Sequence, residues 1–244
     1  MAEALGKVYL VGAGPGAADL ITVRGARLLA QADVVLYDAL VTPEMLDLCR
    51  QAELISVGKR SGQRSTAQTL INQQLVECAG KFRHIVRLKG GDPMLFGRAD
   101  EELRALEAAG IEVDIVPGIT TAVAAAAASK QPLTKRGVAR SVAFFTSSTA
   151  PDQPDQRIGA PPALPETDTL VQYMGGREAA ATAERLLAEG RRSELPVVIV
   201  ENCSRPDERI VRMTLADLAR GLEPGHGPVL VMLGEALAKR AHQT

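Results

Sequence analysis

The sequence predicts an α/β protein of two domains, a first over 1–117 on a mainly parallel five-stranded sheet and a second over 118–244 on a mixed sheet. Three observations lead there. Through the first half, short aliphatic runs alternate with amphipathic stretches closed by glycine, the rhythm of parallel strands returned by helices on both faces. Pro117-Gly118 then breaks that rhythm, and a hinge is expected near 117–121. In the second half, apolar runs at 197–200 and 210–213 lie close enough for an antiparallel return.

The elements follow in order. A strand over 8–11 runs into Gly12-Ala13-Gly14-Pro15-Gly16. Thr22 can cap a helix whose inward face is read as Val23, Ala26, Leu29 and Ala30. A strand over 33–38 ends in Asp38, Pro43 opens a short helix to Leu48, and a third strand spans 54–57. Ser65 and Gln68 have the form of a capping box before a helix carrying Ile71, Leu75, Cys78 and Ala79, stopped by Gly80. Strand 84–88, helix 101–109 with Gly110 behind it, and strand 113–116 complete the first domain.

In the second, Thr120 or Thr121 caps an alanine-rich helix over 123–128, where five consecutive alanines indicate close packing on something flat. Strands are expected at 141–146, 169–173, 197–200, 210–213 and 228–233. A helix follows Met174-Gly175-Gly176 with Ala179, Ala183, Leu186 and Leu187 inward, and Thr214 caps a short helix to Ala219. The span 147–166 holds Pro151, Pro154, Pro161, Pro162 and Pro165, which reads as a long loop.

Composition bounds the function. Hydrophobic residues make up 46% and aromatics 3%, without tryptophan, so the core is aliphatic. A formal net charge of −1 argues against a surface built for duplex nucleic acid, while leaving room for a local basic pocket. Cys49, Cys78 and Cys203 have no metal-type spacing and do not make a disulfide framework. His84, His226 and His242 are scattered, so no metal site is drawn. Met1 to Leu5 is too short for a leader, and no apolar run reaches membrane-spanning length, so a soluble cytoplasmic protein is expected.

The chemistry concentrates in Val86-Arg87-Leu88-Lys89-Gly90-Gly91-Asp92-Pro93-Met94-Leu95-Phe96-Gly97-Arg98. An apolar run ends in two glycines that let a ligand approach the backbone. Loops at the carboxyl ends of strands are where ligands sit in open α/β sheets. A plain strand-to-helix turn is the alternative. A rival motif is Gly12-x-Gly14-x-x-Ala17 with Asp38 at the end of the next strand, the form of a dinucleotide fingerprint. Pro15 lacks a backbone donor, and capping at Thr22 comes too late for the glycines to sit on the first helical turn.

This stretch closely resembles the tetrapyrrole methylases that use S-adenosylmethionine, and among them the uroporphyrinogen-III C-methyltransferases. The likeness runs from about Val8 to Glu235. It is carried by the first glycine turn, Tyr37-Asp38-Ala39-Leu40-Val41, Val57-Gly58-Lys59-Arg60, the segment from Arg87 to Arg98, Val116-Pro117-Gly118-Ile119-Thr120-Thr121-Ala122, Pro132-Leu133-Thr134-Lys135-Arg136-Gly137 and Tyr173-Met174-Gly175.

The resemblance implies a homodimer with S-adenosylmethionine in a cleft between the two domains. It puts cofactor contacts on Pro15, Gly90, Gly91, Asp92, Thr120, Thr121, Met174 and Cys203. It also implies two successive methyl transfers to pyrrole carbons of uroporphyrinogen III, giving precorrin-2 and two S-adenosylhomocysteines, on a path to sirohaem, cobalamin or haem d1. Arg98, Glu101 and Arg136 fall at the catalytic positions, with Arg60 and Arg140 as further candidates. An arginine almost never surrenders its proton, so Arg98 reads as a clamp for substrate carboxylates, and Glu101 or a substrate carboxylate is the better proton acceptor.

The chain departs from the family pattern at Ala17-Ala18, Ala99-Asp100, Lys135 and Thr146-Ser147-Ser148, the last two removing imidazoles. Activity is expected nonetheless, because alignment of nucleophile and methyl needs neither imidazole. The competing readings are methylation of another corrin intermediate or of RNA, a nicotinamide-dependent oxidoreductase, and a non-catalytic tetrapyrrole or nucleotide carrier. At this length no appended dehydrogenase–ferrochelatase module is expected.

Overall fold

The computed structural model describes residues 5–58, 68–147, 163–223 and 225–239. The chain divides into two compact units, Met1–Thr121 and Ala122–Thr244. The sequence boundary at 117 differs from this one because Gly118 stays with the first unit: its N–H donates to Asp92 Oδ2 at 2.9 Å. The expected capping residue Ser65, the candidate Arg60 with its neighbour Lys59, Ser148, His242 and most of the proline-rich loop lie outside the described residues.

The first unit holds β1 (Lys7–Gly12), α1 (Val23–Gln31), β2 (Val34–Tyr37), α2 (Pro43–Leu46), β3 (Glu53–Ser56), α3 (Gln68–Ala79), β4 (His84–Lys89), α4 (Ala99–Ala108) and β5 (Val113–Val116). Its sheet has the order β3-β2-β4-β1-β5, and every pairing is parallel. Alternation along the strands separates two apolar layers. Val8, Leu10, Val34, Leu36 and Ile85 face Ile71 and Leu75 of α3 and Leu106 of α4. Val11, Val35, Val86 and Leu88 face Leu29 of α1 and Met45 of α2.

Thr22 caps α1 as expected, its hydroxyl accepting from Gly25 N–H at 3.1 Å. The inward face differs from the expected one. Gly25 and Leu29 are buried, whereas Val23 is 68% exposed. A Cβ at Gly25 would stand 3.1 Å from Val11, so α1 rides on β1 through its glycine, and Val23 is turned away. In α4, Gly110 with φ +67° stops the helix, a conformation that favours glycine.

The second unit holds α5 (Thr121–Ser129), β6 (Val142–Thr146), β7 (Thr169–Tyr173), α6 (Gly175–Ala188), β8 (Pro196–Glu201), β9 (Arg209–Thr214), α7 (Leu215–Ala219) and β10 (Val229–Gly234). The sheet order is β6-β7-β10-β8-β9, with β6 and β7 parallel and the remaining pairs antiparallel. One face carries α6 and α7 through Ala179, Ala183, Leu186, Leu215 and Leu218. The other carries Ala122 and Ala125 of α5 against Val171, Val198, Val200, Leu230 and Met232. Alanine at these contacts lets a helix lie close on the flat sheet. Thr214 and Asp217 form a reciprocal capping box at α7.

Candidate functional site

Three loops of the first unit meet at the carboxyl ends of adjacent strands. β4, β1 and β5 are neighbours, and the chain leaves β1 towards β2 but leaves β4 towards β5. Such a divergence of connections is where an open sheet makes room for a ligand. The loops after β1 and β4 are laced together: Gly14 N–H donates to Gly91 O at 3.1 Å, Gly91 N–H to Gly14 O at 2.8 Å, and Ala13 N–H to Lys89 O at 2.8 Å. The loop after β5 presses on both. A Cβ at Gly12 would lie 2.6 Å from Gly118 Cα and 2.7 Å from Gly91 O. Glycine is therefore demanded at 12 and 118 by close approach of backbones. At Gly91 the demand is conformational: φ is +67°, and no atom stands within 4 Å of an added Cβ. The floor is tight and the space above Gly91 is open.

Two carboxylates hold the junction. Asp92 takes Met94 N–H on Oδ1 at 2.8 Å and Gly118 N–H on Oδ2 at 2.9 Å, tying the β4 loop to the β5 loop. Asp38, at the end of β2, takes Leu40 N–H at 2.9 Å and Gly90 N–H at 3.1 Å. The structure thus brings Pro15, Gly90, Gly91, Asp92 and Thr120 into the carboxyl-end loops of β1, β4 and β5, with Thr121 the first residue of α5 behind the last of them. Pro15 is buried, and the other five are partly buried.

The same geometry explains why the dinucleotide motif does not work as one. The Gly14 N–H is spent on Gly91. A short 3-10 turn at Ala18–Leu20 separates the glycines from α1, so no helix start faces them. Asp38 holds backbone amides of its own sheet edge.

Arg98 closes the loop that begins at Gly90. It stands at the head of α4 in the left-handed region, φ 53° and ψ 30°. Its guanidinium meets Glu101 through both oxygens, Nε to Oε1 at 2.7 Å and the second pair at 2.9 Å. A planar fork held this way presents its outer edge in a set direction. The pair is about two-fifths exposed, 40% for Arg98 and 35% for Glu101. Phe96, another residue of this loop, is also left-handed, φ 53°.

A feature that periodicity did not disclose lies directly beneath. Arg87 and Lys89 alternate on β4 and face α3 and α4 rather than solvent. Both converge on Glu102, which is fully buried: Arg87 Nε to Oε1 at 3.0 Å, Lys89 Nζ to Oε2 at 2.7 Å. Gln68 of α3 donates to the same carboxylate at 3.3 Å. Arg87 also donates to Leu88 O at 3.0 Å. Burial and the neighbouring Arg87 push the Lys89 ammonium below its usual range, against the pull of Glu102. The available signal was two cations spaced by two on a strand flanked by aliphatics, with an acid in the first turn of the following helix.

In the second unit, Met174 and Cys203 sit at one edge of the sheet. They follow β7 and β8, which run parallel to each other on either side of β10, where Gln172 opposes Val231 and Glu201 opposes Val229. Met174 is the left-handed N-cap of α6, φ 56°, and is 51% exposed. Cys203 lies between two further left-handed residues, Asn202 at φ 51° and Ser204 at φ 61°. Its thiol is buried and pushed up to about 12, by burial first and then by Glu208. At neutral pH the thiol therefore stays protonated. Backbone strain of this kind collects where function over-determines the chain. The Tyr173 hydroxyl accepts the Ala122 N–H at 3.1 Å and so pins the start of α5 to the same edge.

Arg136 is exposed on a turn closed by paired Lys135 and Ala139 backbone bonds of 2.8 Å each. That segment hangs from the amino ends of β6 and β7, where Thr169 donates to Leu133 O at 2.8 Å and Asp168 accepts from Arg140 and Ser141. Within this unit, Arg136 is therefore at the opposite sheet edge from Met174 and Cys203. Ser147, where the family pattern has other residues, joins Gln172 and Thr182 in a buried polar group, with Gln172 Nε2 to Ser147 Oγ at 3.2 Å.

Comparison with known proteins bears on these arrangements. The family model for Tetrapyrrole (Corrin/Porphyrin) Methylases matches residues 7–219. Siroheme synthase 1 of Yersinia pseudotuberculosis is 46% identical over 96% of this chain and 50% of its own length. Siroheme synthase of Pseudomonas fluorescens SBW25 is 45% identical over 96% of the chain and 51% of its own. The chain thus spans about half the length of the curated relatives it matches. Among solved structures, the uroporphyrin-III C-methyl transferase of Thermus thermophilus complexed with S-adenyl homocysteine is similar at TM-score 0.81 and 38% identity, covering 95% of this chain and 93% of that one. A cobalt precorrin-4 methyltransferase follows at TM-score 0.78 and 28% identity, covering 96% of each.

Proposed function

Because this chain belongs to the tetrapyrrole (corrin/porphyrin) methylases, we propose that it uses S-adenosylmethionine to methylate uroporphyrinogen III. Two successive transfers to ring carbons would give precorrin-2 and two S-adenosylhomocysteines. The observation that carries the reading is the glycine junction of the β1, β4 and β5 loops. It has a close-packed floor at Gly12 and Gly118 and open space over Gly91.

That cradle suits a ligand of the cofactor's chemistry. Backbone at Gly90 and Gly91 can approach a ribose or an amino-acid tail without a side chain intervening. Thr120 on the neighbouring loop and Thr121 at the start of α5 bring hydroxyl groups. In the second unit, the half-exposed Met174 is the apolar cofactor contact that the family resemblance implies. When bound, the cofactor supplies a methyl group on a cationic sulfur. The protein's share is alignment, since holding the reacting carbons within near-attack distance removes about 7–11 kcal/mol of entropic barrier in favourable cases.

The porphyrinogen substrate carries eight carboxylates. Arg98, braced by Glu101, presents a guanidinium fork of the shape that binds a carboxylate through two bonds. Methylation makes a substituted ring carbon quaternary, so the balancing proton leaves from a pyrrole N–H or a bridging methylene of the macrocycle, and Glu101, partly exposed, is the candidate to take it. Arg136 is the clamp proposed from the second unit, and its separate place at the other sheet edge makes Arg136→Ala an independent test. A homodimer is part of the same proposal, checked by sedimentation.

The deciding experiment is incubation of the protein with uroporphyrinogen III and cofactor, reading product mass. A gain of two methyl groups supports the reading. Cofactor product bound without methyl gain would point to another corrin substrate, a reading favoured by the likeness to the cobalt precorrin-4 methyltransferase.

A further inference from the structure

We propose that Lys89 is a positioning residue that supports the whole loop 90–98 from below, and with it both Asp92 and Arg98; the assignment of ligands to that loop rests on the function proposed above. Three contacts converge on this side chain and its backbone. Its ammonium bonds Glu102 Oε2 at 2.7 Å, which ties the end of β4 to the first turn of α4. Its aliphatic stem lies under Gly97, where an added Cβ would come 3.2 Å from Lys89 Cε. Its carbonyl takes Ala13 N–H at 2.8 Å, which anchors the β1 loop. The loop thus begins at residue 90 next to the Lys89 backbone and returns at residue 97 onto the Lys89 side chain.

Glu102 extends the effect to the exposed pair. Adjacent positions on a helix differ in direction by about 100°, so a buried Glu102 sets the roll of α4 that turns Glu101 outward. Asn72 of α3 supports the same turn by donating to Glu101 O at 3.1 Å, and Gln68 donates to both Asn72 and Glu102. Glu101 in turn holds Arg98 through two bonds. The chain of contact therefore runs from Lys89 through Glu102 and Glu101 to Arg98 on one side, and through Gly97 and Pro93 to Asp92 on the other.

The charge balance selects the test. The cluster holds two cations and one anion, so Lys89→Met keeps the stem and leaves Arg87 and Glu102 as a matched pair. The variant is expected to fold, with a melting temperature near that of the parent. S-adenosylhomocysteine binding, measured by calorimetry, is expected to weaken about tenfold. The KM for porphyrinogen is expected to rise about tenfold, with kcat changed less than threefold, because the loop is loosened while the reacting groups are unaltered.

Gly97→Ala displaces the loop first through the Pro93 carbonyl oxygen, 2.7 Å from the added Cβ, and then through Lys89 Cε at 3.2 Å, and leaves the buried ions intact; it is expected to weaken S-adenosylhomocysteine binding likewise, and it tests whether the placement of the loop governs affinity even if Lys89→Met does not fold. A purely structural role would lower the melting temperature of Lys89→Met while leaving S-adenosylhomocysteine affinity and both kinetic constants as in the parent, and that result overturns the proposal. Unchanged affinity in Gly97→Ala overturns it too. If the parent protein binds S-adenosylhomocysteine but does not methylate uroporphyrinogen III, the proposed substrate falls, and the affinity measurements still decide the role of Lys89.

Discussion

At Gly118 an added methyl group would run into the Gly91 carbonyl oxygen and the Gly12 backbone. These are main-chain atoms, which cannot swing aside as a side-chain end can. Gly118→Ala should therefore destabilise the protein by about 1–3 kcal/mol, the range for overpacking a well-packed region, read as a lower urea midpoint. Met174 is the opposite case. A non-glycine residue in the left-handed region costs about 1–2 kcal/mol, so Met174→Gly should hold or raise the melting temperature while weakening S-adenosylhomocysteine binding. A fall in stability with unchanged affinity would show that the methionine serves packing alone.

Glu201 provides a pH signature. Burial opposes its charge, but the N–H groups of Gly227 and His226 and the Arg209 guanidinium outweigh that, and the carboxyl is held below its usual range. A carboxyl depressed on folding adds stability above its unfolded pKa of about 4.3, and that contribution is lost as pH falls through the folded value. The stability gap between the parent and Glu201→Gln, followed by urea denaturation, should be full at pH 7 and shrink below pH 4.

At the scale of elements, β4 and α4 act as one piece because Glu102 joins them. Glu102→Gln leaves Arg87 and Lys89 as buried cations without a counter-charge. Removal of one side of a buried ion cluster costs about 3–5 kcal/mol, so this variant should unfold at much lower urea than Lys89→Met does. The contrast follows from charge count alone and would fail if both variants lost equal stability. Helix α7 stands on its capping box, in which Thr214 Oγ1 donates to Asp217 Oδ2 at 2.7 Å and accepts the Asp217 N–H at 3.2 Å. Thr214→Ala should cost about 1 kcal/mol, with no effect on ligand affinity.

For the molecule as a whole, local patterning determined most of the element order. Aliphatic runs closed by glycine, a threonine cap at α1 and α7, and the short return from β8 to β9 all follow from rules that act within a few residues, so one sequence suffices to read them. That Gly90, Gly91 and Asp92 form a loop behind a buried strand was legible for the same reason, because paired glycines, an acid and a proline end the aliphatic run at that point. Three matters waited for the folded chain. The inward face of α1 turns on Gly25, because only its contact with β1 shows that a missing side chain can be the point of closest packing. The boundary between the units falls at 121 because Gly118 is claimed by Asp92, a partner 26 residues away. Arg87 and Lys89 read as charged interruptions in an apolar strand until Glu102 arrives from the next helix to meet them in the interior. Periodicity records which way a side chain points relative to its own element. What waits there to receive it is settled by residues distant in sequence, through burial and pairing of charge that exist only once the sheet and its helices have assembled.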